Sequence, residues 1–586
     1  MQENKQNMDN RKLLFCYALF LVIVISLPAK AAEWGQSPKH ETRAVWLTTI
    51  GGLDWPRGYA RTAEQAARQQ QQLDNILDRL KVAGINTVLL QTRIRATTIY
   101  PSNYEPWDGC LSGIPGRSPG YDALEYAIEA CHKRGMELHA WVVAIPIGKW
   151  NKTGCQQLRK RHPSMLKKIG DEGFMNPAYS KTADYITSLC QEITGRYDID
   201  GIHLDYIRYP ETWPKATSRS EAEQRRQHIS RIVEKVCRGV KVLKPWVKMS
   251  CAPIGKHDDL SRFSSYGWNA YSRTYQEAQR WAKEGWMDQL YPMMYFKGNQ
   301  FYPFLLDWIE HRQNCDIVSG LGGYMLDYRE KDWPLETMIR QLNAIRQYGA
   351  GYAIFRTQHL LNNTKGLYDF IKKDWNKTPA LPMVMQGYGY KLPNPVQQLS
   401  VVKTDSIDGL SWEIPDNQHH ATACYYNLYA SHHYPVDTRQ AENLMITRSS
   451  QPFFTVRHHR DADPWYYAVT VIDRLGMESS ACQEDPPTCL DIADKEQEKT
   501  TDNSWLSKHQ PAYTGIAVVT SMEGTLVTTL RCRQGKADVT SLPDGTYILR
   551  TLEKKGVSHR LARFTIYKRK VRIIEKNDEH INMFIS

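Results

Sequence analysis

Between Arg43 and Trp375 the chain alternates, eight times over, a short run of β-branched and aromatic residues with a stretch of helical periodicity. Parallel neighbours in a sheet need a long crossover, and an intervening amphipathic helix supplies it. Strands are expected at Ala44–Ile50, Thr87–Arg93, Glu137–Ala144, Gly201–Tyr209, Lys248–Ile254, Met287–Phe296, Ile317–Tyr324 and Tyr352–Thr357. Helices are expected at Ala63–Ala83, Ala123–Arg134, Lys181–Tyr197, Glu221–Leu243, Tyr271–Glu284, Phe304–Gln313, Leu335–Tyr348 and about Gly366–Asp374. Eight such units over roughly 330 residues fit a (β/α)8 TIM barrel with some long loops. An open doubly wound sheet is the alternative, but no GxGxxG follows any strand, so its dinucleotide-binding form lacks a signature.

The chain has 586 residues, so the barrel leaves room for more. At the N-terminus Arg11 and Lys12 precede the uncharged apolar run Leu13–Leu27, followed by Pro28 and the small-x-small pattern Ala29-Lys30-Ala31. This reads as a signal peptide over residues 1–31, because about 15 apolar residues are short for a spanning helix. Export to the periplasm, the outer membrane or the medium is the expectation, with no integral span once the signal is removed. After the barrel, assigned to residues 41–378, the Pro- and Gly-containing Lys377–Asn394 reads as a linker. Residues 397–483 show alternation with turn spacing in Leu410-Ser411-Trp412-Glu413, Ala423–Ala430 and Trp465–Asp473. An early Trp, a Tyr-rich middle strand and late strands ending at Gly476-Met477-Glu478-Ser479 resemble a fibronectin type III β-sandwich. The acidic, polar Gln483–Asn503 is a second linker. Residues 504–586 offer strands at Gly515–Ser521, Thr525–Arg531, Thr546–Leu552 and Arg560–Tyr567, and are read as a small C-terminal β-sandwich with a basic extension at Lys568–Lys576.

The formal net charge is +12, with the cations scattered and no block of five like charges. This is a solvated basic surface compatible with an acidic polymer, and nucleic-acid binding is not expected. The twelve cysteines form no CxxC or Cys/His metal spacing, and only Cys482 and Cys489, flanking Asp485-Pro486-Pro487, suit a local disulfide. No carboxylate or histidine cluster has ligand spacing, so neither a metal nor a cofactor is expected.

A TIM barrel does its chemistry at the C-terminal ends of its strands. On the fourth strand, a period of two puts Gly201, His203 and Asp205 on one face, and a barrel-facing Asp is expensive unless paired or used. Other strand ends supply Gln91 and Arg93, His139 and Trp141, Tyr295, Tyr324 and Arg356. Together with Tyr206, Arg208 and Trp107 they form a set of hydrogen-bonding and stacking groups suited to sugar rings. For Gln91 and Arg93 a structural salt-bridge role, and for His139 a hydrogen-bonded core role, are equally compatible with the pattern.

These residues match a known family. The motifs are Glu41-Thr42-Arg43-Ala44-Val45-Trp46-Leu47 with Asp54-Trp55-Pro56, Gly84–Arg93, Tyr100-Pro101-Ser102, Glu105-Pro106-Trp107, Pro119–Asp122, His139-Ala140-Trp141, Met175-Asn176-Pro177 and Asp200–Pro210. In this order they resemble the bacterial glycosyl hydrolase-like 10 family, relatives of enzymes that cut peptidoglycan strands stripped of peptides. The resemblance implies a (β/α)8 barrel acting on glycosidic bonds, with peptidoglycan or another polysaccharide as partner. A departure is Val142–Ile147, where the family often carries Asn-Pro-Tyr-Arg. The fourth strand also looks like the chitinase Asp-x-Asp-x-Glu motif, but Ile207 stands at the Glu position, and Phe296 replaces the Asp of Met-x-Tyr-Asp.

Glycoside hydrolysis uses two carboxyl groups. Asp205 is the first candidate, with a structural Asp paired to Arg93 or Arg208 as the alternative. For the second, Asp54 and Asp258 lie close to their strand ends, ahead of Glu105, Asp108, Asp259 and Asp327. The competing functional readings are a non-catalytic glycan-binding scaffold and an exo-acting glycosidase for dietary polysaccharide.

Overall fold

The computed structural model describes residues 37–484 and 515–584, apart from short breaks at 262, 264–266, 389–390, 404–406, 416–422, 458–463, 522–525, 534–535, 540–541, 552–559, 568–569 and 577–581. The expected signal peptide, most of the second linker and Cys489 lie outside the described residues.

Eight parallel strands close into a barrel: β1 (Arg43–Leu47), β2 (Thr87–Arg93), β3 (Glu137–Val143), β4 (Gly201–Asp205), β5 (Lys248–Cys251), β6 (Gln289–Leu290), β7 (Asp316–Gly322) and β8 (Gly351–Phe355). Each pairs with its sequence neighbours and β1 pairs with β8, so the topology is the TIM barrel. Every barrel strand but β2 ends earlier than expected. β4 stops at Asp205 because Tyr206 takes a left-handed φ of 51°. β6 stops after two residues, just before Tyr291-Pro292, where proline cannot donate to the ladder.

Seven of the eight expected helical stretches are helical along most of their length, and the other is split. The stretch expected to be helical over Tyr271–Glu284 splits into Ala270–Arg273 and Ala278–Lys283, with Tyr275 at φ 60° between them. Helix Ala63–Val82 starts at Thr62, whose side chain accepts from the Gln65 N–H, and Arg219–Leu243 starts likewise at Ser218. Their apolar faces (Leu73, Leu77, Leu80; Ile229, Ile232, Val233, Val236, Val240) join one core around the barrel. A second cluster fills the barrel itself, including Trp46, Leu89, Trp141, Ala252, Tyr291 and Ala353.

The largest addition to the expected pattern is the segment after β3, which also carries the unexpected helix Thr153–Arg161. After β3 the chain leaves the barrel and forms a three-stranded antiparallel sheet from Pro146–Lys149, Leu166–Ile169 and Glu172–Met175. This occupies the stretch where the family's Asn-Pro-Tyr-Arg would begin.

Beyond the barrel, a three-stranded sheet (Gln397–Lys403, Ile407–Glu413, Phe453–Arg457) and a four-stranded sheet (Leu444–Ser449, Tyr425–Ser431, Tyr466–Ile472, Cys482–Gln483) share a core around Trp412, Leu428, Tyr467 and Val469. The last region forms one seven-stranded sheet that takes in the basic segment as strand Lys570–Lys576. No helix among the described residues is long and apolar enough to cross a membrane.

The first β module is fastened to the N-terminal rim of the barrel. Glu137, at the start of β3, accepts from Lys248 at the start of β5, and Asp200, just before β4, accepts from His132. Arg448 and Arg474 enter from the β module and donate to the same two carboxylates. All four of these arginine and carboxylate side chains are buried. Gly135 sits where this contact is closest: a Cβ there would lie 2.2 Å from the Thr447 carbonyl oxygen.

Candidate active site

At the opposite, C-terminal rim, β4 delivers Asp205. Its Oδ2 accepts from Trp141 Nε1 (3.1 Å) on β3 and its Oδ1 from the Tyr206 backbone N–H (2.7 Å). The residue is 6% exposed, and burial raises its pKa above the ordinary carboxylate value against the lowering by Arg208 and the two N–H donors. Such a group holds a proton more readily than a solvated Asp does.

The left-handed turn at Tyr206 leaves its ring 38% exposed, with the Arg208 guanidinium 4.2 Å from the ring centroid. Arg208 is buried and donates from Nη2 to Glu211 Oε1 at 2.7 Å. Its Nε and Nη1 have no partner among the described residues, so two donors remain beside Asp205. Tyr295 is half-buried, in edge or tilted contact with Tyr324 (5.7 Å) and Phe355 (5.8 Å), and burial holds its hydroxyl well above the usual phenol value. Asp205 therefore sits among a guanidinium and several rings.

Below it the barrel is filled. His203 Nε2 accepts from Trp46 Nε1 (3.1 Å) and its Nδ1 bonds Ser250 Oγ (3.0 Å), under the Tyr291 ring at 5.0 Å. Burial pushes His203 well below its usual pKa, so the imidazole is neutral and Nδ1 carries the proton. His139 lies deeper, 3.2 Å from Glu137, and Gly201 is glycine because a Cβ there would sit 2.6 Å from the His139 ring. Both histidines belong to the packed interior rather than the rim.

The other expected residues divide in the same way. Arg93 makes a bidentate pair with Glu105 (2.8 and 2.7 Å) and also donates to the Val143 and Ala144 carbonyls, tying β2 to the end of β3. Gln91 accepts from the Thr49 and Ile50 N–H groups and shapes the first loop. Asp54 accepts from Thr48 N–H and Oγ, from the Gln358 N–H and from Arg356 Nη1, joining the loops after β1 and β8. Asp54 and Arg356 are thus brought together as a clamp. Trp107 is half-buried against the core and Trp55 is fully buried. Asp258 is half-exposed in the loop after β5, accepting from the Asp259 N–H. Asp108 caps a short helix and accepts from Thr97, while Asp327 is held by Arg329. Ile207 is fully buried, so the chitinase Glu position faces the core.

The expected set did not include Glu211. It follows Asp205 by six residues, is held by Arg208, and its charge acts on Asp205. A carboxylate after Pro210 in a loop has no periodicity to mark it. Only its proximity in sequence to Asp205 could have drawn notice.

A model of the glycosyl hydrolase-like 10 family matches residues 41–319. The chain is 28% identical over 497 residues to glycosyl hydrolase YngK of Bacillus subtilis (strain 168), covering 78% of this chain and 95% of that protein. It is 31% identical over 390 residues to glycosyl hydrolase DigH of Escherichia coli (strain K12), covering 58% of this chain and 88% of that protein. Among solved structures, the PgaB (BpsB) glycoside hydrolase domain from Bordetella bronchiseptica aligns with 57% of this chain and 98% of its own, at 12% identity and a TM-score of 0.41.

Proposed function

The chain belongs to the glycosyl hydrolase-like 10 family, a family of glycoside hydrolases, and from that premise we propose that it is exported and cleaves glycosidic bonds within peptidoglycan strands, with Asp205 as proton donor. The observation that carries this reading is the buried Asp205 at the C-terminal end of a barrel strand, its pKa raised by burial. A general acid must be protonated when it meets the leaving oxygen, and desolvation favours that state.

The remaining parts follow from the neighbours. Trp141 Nε1 fixes the carboxyl rotamer. Tyr206 offers an exposed face on which a sugar ring can stack, backed by the Arg208 cation. The buried Arg208 guanidinium holds Glu211 and lowers the Asp205 pKa, so it steadies the carboxylate that Asp205 becomes once its proton has left. Glu211 is the carboxylate that supplies the second role, as base or nucleophile, since its charge reaches Asp205 and Arg208 holds it. Periplasmic, outer-membrane or extracellular residence rests on the charged-apolar-small pattern of residues 11–31.

The test is direct. Peptidoglycan strands freed of peptides are incubated with the wild-type chain and with Asp205→Asn, and the products are sized by mass spectrometry. Shorter oligosaccharides from the wild type alone support the reading. Binding without cleavage of these and several other glycans overturns it in favour of a non-catalytic glycan-binding barrel. Release of single sugars would instead point to an exo-acting enzyme.

A further inference from the structure

A second feature lies on the same rim of the barrel as Asp205. The loops after β1 and β2 and the start of the excursion after β3 enclose a groove of about 700 Å³. Its walls are rich in exposed backbone. Gly51, Gly52 and Gly58 have φ of 59°, 67° and 86°, and a Cβ at any of them would meet nothing within 4 Å, so a ligand can approach the main chain closely.

The charges lining the groove do not cancel. Lys149 is neutralised by Asp171 (2.7 Å) and Glu172 (3.5 Å). Asp108 has both oxygens engaged, by the Cys110 N–H and by Thr97 Oγ. Arg57, Arg95 and Lys152, all exposed, have no side-chain ion pair or hydrogen bond among the described residues. Three unpaired cations thus face one cavity. Arg95 also joins this groove to the site, since its charge acts on Tyr206, the residue next to Asp205.

We propose that this groove is a run of glycan subsites that selects carboxylate-bearing sugars, with Arg57, Arg95 and Lys152 pairing with acid groups on the strand while neighbouring rings lie against the glycine-lined wall. The proposal rests on the reading of Asp205 as the site of glycan cleavage, and it names which glycans that site receives. A neutral polysaccharide would leave the three cations without partners, whereas an acidic strand entering along the groove places one charge after another against them. Exposed pairs contribute modestly one by one, so three together give on the order of a tenfold preference that weakens as salt is added.

The measurement is binding to the full chain carrying Asp205→Asn, which separates it from turnover. The probes are peptide-free peptidoglycan strands with free lactyl carboxylates and the same strands with those carboxylates converted to methylamides. The Asp205→Asn chain should bind the acidic strands about tenfold tighter than the amidated ones at low salt, with the gap closing near molar salt. Adding Arg57→Gln, Arg95→Gln and Lys152→Gln together should bring the ratio towards one, while Arg57→Lys with Arg95→Lys, which keep the charges, should retain most of it. Equal affinity for both strands, or a preference that survives the three Gln substitutions, overturns the proposal. Failure of the wild-type chain to cut any strand overturns the cleavage reading and leaves this binding result standing on its own.

Discussion

Nη1 of Arg448 lies 3.0 Å from Oε1 of Glu137, and the two residues come from different modules 311 positions apart in the chain. The same guanidinium reaches Asp200 at 3.0 Å through Nη2. Burial alone would raise the pKa of Glu137, but Lys248 and Arg448 outweigh it and hold the carboxyl at about 2. Asp200 is likewise held well below its ordinary value, by Arg474, His132 and Arg448 against its own burial. The network is satisfied only while both modules are in place.

Removing one member of such a network leaves buried charges without partners. Arg448→Met should therefore destabilise the protein by about 3 kcal/mol or more, read as a fall in the urea midpoint. A loss below about 1 kcal/mol, the range of an exposed pair, would show that the contact is not closed to solvent.

The same pair sets an acid limb. Glu137 has a folded pKa near 2 against an ordinary 4.5, so its contribution is fully present above about 4.5 and is lost as the pH falls towards 2. Urea midpoints measured at descending pH should decline over that window. Arg448→Met removes a charge that lowers the folded pKa, so the lower end of the window should move to higher pH and the total decline should shrink, with its onset still near 4.5. A decline of the same depth and extent as in the wild type would refute the assignment.

Asp205→Asn should lower kcat by roughly 10²- to 10⁴-fold with little change in binding, as for loss of a general acid. Arg208→Gln supplies the sign test. Arg208 lowers the Asp205 pKa, so without it that pKa rises and the alkaline limb of kcat should shift to higher pH. A shift of the acid limb to higher pH with the alkaline limb unchanged would mean that Asp205 works as a base.

Glu211→Gln separates the two carboxylates. If Glu211 is the base or nucleophile, kcat falls by a similar factor, and added azide partly restores turnover by replacing the lost group. A variant that keeps more than half the wild-type rate rules Glu211 out, and Asp258 becomes the residue to substitute next.

Gly135 has φ 69° and its Cβ position is taken by the Thr447 carbonyl. Gly135→Ala should cost about 2 kcal/mol or more in stability, from the left-handed backbone and the clash together. A calorimetric melting temperature within a degree of wild type would show that the β module yields at this contact.

The barrel was legible because each strand is a local run of β-branched and aromatic residues, and all eight appear where those runs lie. Asp205 was legible because alternation along β4 points it inward. What local pattern could not show was partnership. Arg93 and Gln91 have the chemistry to hold a sugar, but Glu105 and the Thr49–Ile50 backbone occupy them. His203 shares a face with Asp205, yet lies two residues deeper, under Tyr291 and bonded to Trp46. Arg448 and Arg474 read as ordinary cations of a β module, because their carboxylate partners are hundreds of residues away. The three-stranded excursion after β3 was hidden by its short strands, four residues each.

Strand β4 has the Arg448 and Arg474 anchorage at Asp200 and the proposed proton donor at Asp205. At about 3.3 Å per residue these points are roughly 17 Å apart along one short rod. The β modules are therefore a mount rather than a tether. Whatever the β modules are attached to, the Asp205 rim is then held at a fixed stand-off from the buried joint at Asp200.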